Sequence, residues 1–371
     1  MSYEIAATGL NAVNEQLDGI SNNIANAGTV GYKSMTTQFS AMYAGSQAMG
    51  VSVAGTAQSI SRGGSLVSTG NALDLAINDD GFFVTCDSAG NISYTRAGSF
   101  ETDKNGYIVN ASGAYLQGYP VDDSGTLQTG TVTDIQIKTG NIPAQASSSL
   151  TFTANFDASD AVIDRTTVPF DATNSSSYTD SYTTTVYDSL GNEHSVCQYF
   201  TKTSDNTWEV QYTFDGQQQT DAAAPIDLTV DYSTCTQYGS EFSVTTNAAN
   251  GYASATQNGV QVDDDGKVYA TYSNGERMLQ GQVVLATFPN ENGLEAVSGT
   301  AWVQTGESGT PLIGVPGSGT CGTLSSGVLE SSNVDITSEL VNLMTAQRNY
   351  QANTKVIATS TQLDDALFQA M

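Results

Sequence analysis

The two ends of this 371-residue chain carry a helical hydrophobic period, and the stretch between them carries a different one. From Leu10 the apolar positions run Leu10, Val13, Leu17, Ile20 and Ile24, spaced by three and four. That spacing lays a heptad seam along one face of a helix. The closing segment repeats the device with Ile336, Leu340, Leu343, Tyr350, Ile357 and Leu367. Asp335 stands where an N-cap belongs, and Glu339 puts an acid in the first turn, where the helix dipole favours it. A continuous helix over about 335–370 would be roughly 54 Å long at ~1.5 Å per residue.

Between the ends the period drops to two. Leu150, Phe152, Ala154 and Phe156 alternate with polar residues, as do Trp208, Val210, Tyr212 and Phe214, and both runs read as half-buried strands. An Asp-x-x-Gly string recurs at Asp87–Gly90, Asp103–Gly106, Asp122–Gly125, Asp188–Gly191 and Asp263–Gly266. An Asp opening a turn bonds backbone amides, and a Gly closing it tolerates a positive φ. Asn274-Gly275 adds a two-residue hairpin signal. The middle is therefore expected to be antiparallel β. Near residue 145 the composition shifts from apolar runs, such as Leu73–Ile77 and Gly81–Val84, to Ser, Thr and Asp. Apolar strands return near 253, as in Gln282–Phe288, which suggests one β domain inserted into another.

Charge narrows the function. A formal charge of −27 cannot track a phosphate backbone or an anionic membrane face, both of which require a basic surface. No run approaches ~18 apolar residues, so no membrane insertion is expected. Residues 1–30 lack a basic stretch followed by an apolar one, so no cleaved signal peptide is expected either. Cys86, Cys197, Cys235 and Cys321 are scattered without a C-x-x-C pair and read as buried free thiols rather than ligands. Asp79-Asp80 and Asp263-Asp264-Asp265 resemble paired carboxylates, but each adjoins a turn glycine and reads as solvated. The Asp263 loop has Tyr272 where an EF-hand needs a bidentate Glu. His194 is the only histidine, and no triad or metal set assembles around it. No catalytic, metal or cofactor site is expected, and the chain reads as structural.

The first helix is a poor one in isolation. Gly9 and Gly19 lie inside it, each costing about 1 kcal/mol relative to Ala, and Asn11, Asn14, Asn22 and Asn23 weaken it further. A lone helix of such composition and about 20 residues frays in water. Its seam needs other helices, either the chain's own second helix or those of other copies. Gln347 and Thr354 would then fix register rather than add stability.

Specific strings point to a family. Gly9–Ala12, Ile20–Ala27 and Thr29–Lys33 resemble the N-terminal signature of the flagellar rod and hook axial proteins, with Asn22, Asn23, Asn26, Gly31 and Tyr32 as signature residues. Leu329–Asp335, Glu339–Asn342 and Ala346–Ala352 resemble their C-terminal signature, including Gln347, Arg348, Asn349 and Tyr350. Ala72–Ile77, Gly81–Phe83, Tyr94–Phe100 and Leu116–Pro120 are similar to the family's core. The insertion, with Thr185–Asn192, His194 and Trp208–Val210, resembles the hook type rather than the shorter distal rod type. A β-rich adhesin or tail-tube protein would not carry the paired terminal signatures.

The resemblance implies a mixed, mainly antiparallel β chain with a coaxial, coiled-coil-like pair of terminal helices. Residues 1–28 and 330–371 would form the helical domain lining an export channel. Residues 29–70 would be a linker, with Gly45, Gly50, Gly55, Gly63, Gly64 and Gly70 permitting movement. An inner core of 71–145 and 253–329 would carry an outer β domain of 146–252. It implies a subunit of a curved tube that acts as a universal joint between rod and filament. Its partners would be other copies, the distal rod, hook cap and hook–filament junction proteins, and the flagellar type III export apparatus.

Overall fold

The computed structural model of the chain describes residues 2–44, 47–122, 125–218 and 228–370. Gly45, the turn centre Asp123-Ser124 and the side chain of Leu367 lie outside the described residues. Helix α1 spans Ser2–Ala25 and helix α2 spans Ile336–Ala370. Gly9 has a local reason to be in α1. A Cβ there would meet Asn353 Nδ2 at 2.8 Å, so the missing side chain lets the two helices approach.

The segment read as a linker differs from that reading. Strands β1 (Met35–Ala44) and β2 (Gln47–Gln58) form an antiparallel hairpin, with Met35 opposite Gln58. The register shifts between Gln38 and Phe39, next to Gly55, and between Met42 and Tyr43, next to Gly50, so these two glycines adjoin bulges in a paired hairpin. The hairpin lies along α1, where Thr37 Oγ1 donates to the Glu15 carbonyl at 3.4 Å.

The chain divides into two compact units. The first comprises residues 1–138, 259–270 and 277–371, and the second residues 139–258 and 271–276. These borders lie several residues outside the compositional break at 145 and 253. The cause is local: Ile142 bridges Ala255 and Gln145 bridges Tyr252, tying residues 139–145 into the second unit before the composition changes.

In the first unit a 13-stranded sheet includes Phe82–Cys86, Ile92–Thr95, Tyr115–Pro120 and Arg277–Val283. Phe82, Phe83, Val284 and Leu285 are all buried, so consecutive residues point into packed layers on both faces. On one face Phe82 meets Trp302 edge-on at 5.7 Å, and on the other Phe83 meets Phe100 at 5.2 Å.

The second unit packs Phe152 and Phe156 of Ser149–Asp157 against Phe200 and Trp208 of a four-stranded antiparallel sheet. The chain is mainly antiparallel, as expected, with local exceptions here. Ser149–Asp157 pairs antiparallel with Ser243–Ala249 but parallel with Thr229–Asp231 and Thr236–Tyr238. Alternation marks the buried face of a strand and is silent on its direction. The four cysteines are free thiols, as expected, but each is half-buried rather than fully enclosed.

Candidate functional site: the root of the helical pair

The site builds outward from the end of α1. The Asn22 carbonyl accepts from both the backbone N–H and the side-chain amide of Asn26, and Asn26 Oδ1 accepts from Thr29 Oγ1, so the helix closes in a tight turn. Gly31 then takes φ +69° and sends its N–H to the Glu330 carbonyl at 2.9 Å. A Cβ on Gly31 would lie 2.5 Å from the Ala97 amide nitrogen, so this position requires glycine twice over, for its backbone and for its space.

Asn23 is buried and uses its whole amide. Oδ1 accepts from Met35 N at 2.8 Å and from the Tyr32 hydroxyl at 3.2 Å. Nδ2 donates to the Met35 carbonyl at 2.8 Å and to Glu339 Oε1 at 3.3 Å. One side chain thus joins α1, the start of β1 and the first turn of α2, with two donors and two acceptors satisfied. Burial pushes the Tyr32 phenol up from its ordinary value, opposed by its hydrogen bonding with Asn26 and helped by the Glu339 charge.

Below it sits a buried charge cluster. Lys33 is 1% exposed, and its Nζ donates to Glu330 Oε1 at 2.7 Å and to the Arg62 carbonyl at 2.9 Å. Glu330 Oε1 also accepts from Gly64 N, and Arg96 Nη1 lies 3.7 Å from Glu330 Oε2 while donating to the Asp79 carbonyl. Arg96 stacks over Phe82 at 5.2 Å. Burial pulls the Lys33 ammonium down, and the Glu330 contact opposes it. Asn333 completes the joint, accepting from Ser34 N and donating to the Ser59 and Arg62 carbonyls. These contacts fix the roots of both helices to the first unit.

From that root α2 begins with Asp335 as its cap, Oδ1 accepting from Thr337 N at 2.9 Å. The bonds from Ser338 and then Thr337 hold the Asp335 carboxyl below its usual range. The helices run antiparallel, since Gly9 faces Asn353 and Asn23 faces Glu339, with equal separations along both. Val13, Leu17, Ile20 and Ile24 of α1 pack with Leu343 and Ala346 of α2, and Leu10 is half-buried.

Not all of the expected α2 seam is in this contact. Ile336 and Leu340 are 51% and 47% exposed, Tyr350 is exposed and Ile357 is half-buried. The face turned to α1 instead carries Glu339, Leu343, Ala346 and Asn353. The structure therefore brings Asn23, Asn26, Gly31 and Tyr32 together, but leaves Gln347, Arg348 and Asn349 on the exposed part of α2. Arg62, Arg96, Glu330 and Asn333 were not singled out from sequence. For Arg62 and Arg96 the signal is rarity, in a chain with only 11 Lys and Arg; Asn333 is uncharged and carries no such signal.

Other acidic groups are tied to local duties. Asp263 pairs with Arg277 at 2.9 Å and Asp265 with Lys267 at 2.7 Å. Among the described residues no three His, Cys, Asp or Glu side chains are grouped to hold a metal, and no helix is long and apolar enough to cross a membrane.

Two end helices rooted in one buried joint, on a body of β units, are the layout of a flagellar axial protein, and four family models agree in chain order. They are the flagella basal body rod protein over 4–33, the flagellar hook protein FlgE/F/G D1 domain over 76–164, the flagellar basal body protein FlaE D2 domain over 155–225, and the flagellar basal body rod FlgEFG protein C-terminal over 325–370. The flagellar hook protein FlgE of Escherichia coli K12 is 38% identical, covering 99% of each chain. That of Brucella suis is 32% identical over 97% of this chain and 96% of its own. The chain belongs to the flagellar hook protein family. The solved structure of Helicobacter pylori flagellar hook protein FlgE2 shares the fold, with a TM-score of 0.52 at 13% identity, over 71% of this chain and 100% of that one.

Proposed function

We propose that this hook subunit polymerises through the faces of its helices that the monomer leaves uncovered, forming a curved tube that bends as it transmits torque. The observation that carries the reading is the apolar stripe of α2. Ile336, Leu340 and Met344 follow at four-residue steps with Val341 beside them, and each is about half exposed. Rows at that spacing lie on one helix face, and an apolar face in water is completed by burial against another apolar surface. Leu10, Val13, Leu17, Ile20, Ile24 and Leu343 hold the helices together within a subunit, while Ile336, Leu340 and Tyr350 join copies. Residues 1–28 with 330–371 form the channel wall, and residues 146–252 slide against their counterparts in neighbouring copies as the tube bends.

The family resemblance supports the remaining partners: distal rod protein at one end, hook cap and hook–filament junction proteins at the other, and type III export without a cleaved signal. The test is polymerisation of purified full-length protein carrying Leu340→Asp with Met344→Asp. The critical concentration should rise at least about tenfold, the equivalent of ~1.4 kcal/mol per contact, while near-UV dichroism of the β units is unchanged. Tubes forming at the wild-type concentration would overturn the reading.

A further inference from the structure

His194 is the second residue of the strand Glu193–Ser204 in the second unit and is the chain's only histidine. Its ring stands between carboxylates from two different turns. Nδ1 is 2.7 Å from Asp215 Oδ2, and Nε2 is 3.5 Å from Asp188 Oδ2. Asp188 begins the turn between Asp180–Tyr187 and Glu193–Ser204. Asp215 lies in the turn between Thr207–Phe214 and Gln217–Gln218, at φ +47°.

Each carboxylate also holds its own backbone. Asp188 Oδ1 accepts from Leu190 N and Asn192 N, Asp188 Oδ2 accepts from Asn192 Nδ2, and Asp215 Oδ1 accepts from Ser195 N at 2.8 Å. Phe214 lies 4.9 Å from the ring, centroid to centroid. Glu193, the next acid in the chain, is engaged with the Tyr187 hydroxyl at 3.4 Å. Among the described residues the charges acting on the ring are Asp215 and Asp188.

A neutral imidazole has one N–H and one lone pair, so it can donate to only one of two carboxylates and turns its lone pair on the other. Only the imidazolium donates to both. We propose that His194, Asp188 and Asp215 form a proton-operated latch that fastens the two turns at one end of this four-stranded sheet, closed when the ring carries both protons and open when it loses one. The geometry fits the direction of titration. The Asp215 bond raises the His194 pKa above its ordinary value, and Asn192 above all holds the Asp188 carboxyl down to about 2. A group whose folded pKa is raised stabilises the fold fully below its unfolded value, about 6.5 for His, and loses that contribution as pH rises through the folded value. The latch therefore opens as pH rises through a value above the ordinary ~6.5 of the imidazole.

Because the imidazole is unique, its proton resonance in the full chain can be titrated without assignment. It should titrate above ~6.5, and Asp215→Asn should lower that point. Protection of the amides across 188–216, corrected for intrinsic exchange, should fall at least about threefold between pH 6 and 8.5, and His194→Gln should abolish the fall. An imidazole titrating at or below ~6.5, an Asp215→Asn variant with an unchanged titration point, or a His194→Gln variant with the same pH-dependent loss would each overturn the latch. The wild-type and Asp215→Asn titrations decide the matter if His194→Gln does not fold.

Discussion

Lys33 and Glu330 stand 297 positions apart in the chain, and their charged atoms lie 2.7 Å apart. Taking two charges out of water is costly, and the contact is supported by the Arg62 carbonyl, which accepts from Lys33 Nζ, and by the Gly64 amide, which donates to Glu330 Oε1, while Glu330 Oε2 has only the Arg96 guanidinium at 3.7 Å. Removing one partner is then worse than removing neither. Glu330→Gln keeps an acceptor for Gly64 but leaves the Lys33 ammonium without its counter-charge. It should destabilise the first unit by about 3–5 kcal/mol in urea unfolding, and a loss under about 1 kcal/mol would contradict the role given to the pair. Sequence reading located the strings that contain Lys33 and Glu330 but not their pairing, because a pattern along the chain has no information about which distant residues meet. Gly31 is different. Its need for glycine arises from a turn and a close backbone approach, and the signature containing it marked the place without the reason.

At the scale of elements, α1 was legible because Val13, Leu17, Ile20 and Ile24 recur along its buried face, although Asn23 is buried beside them. The face that α2 turns to α1 was not, since it carries Glu339, Ala346 and Asn353, while the greasier residues Ile336 and Leu340 face away. Hydrophobicity alone does not say which residues meet α1 when one helix offers more than one face. Ala346 is fully buried in the contact, so Ala346→Leu should overpack it and cost about 1–3 kcal/mol, read as earlier loss of helical ellipticity on heating. An unchanged melting profile would show that the helices are not in close contact there. The α2 cap adds a pH effect of known sign. Its carboxyl titrates below the ordinary value, so the cap's contribution is present above about pH 3.8 and disappears as pH falls through the folded value. The Asp-x-x-Gly turns were equally legible: Gly90, Gly106, Gly191 and Gly266 each take positive φ and bond back to the Asp three residues earlier. Asn110–Gly113 does the same with Asn at the first position, a variant that a search for Asp alone passes over.

At the scale of the whole molecule the formal charge of −27 sets the terms of association. Copies carrying that charge repel one another over about 10 Å at 0.1 M salt but only about 3 Å at 1 M. The critical concentration for tube formation should therefore fall several-fold across that range, and light scattering that is indifferent to salt would remove charge from the explanation. Composition changes near 145 and 253, whereas the second unit takes in residues 139–258, because Ile142 and Gln145 pair with residues past 250. The parallel strands beside Ser149–Asp157 left no trace in the periodicity. In the proposed assembly, copies join through the uncovered faces of α1 and α2. The most direct measurement is amide hydrogen exchange of the full-length protein as monomer and as assembled tube. Amides of 2–25 and 336–370 should gain at least tenfold protection on assembly while those of 82–95 change little, because the strands are buried before copies meet. Equal exchange of the helices in both states would contradict an assembly made through them.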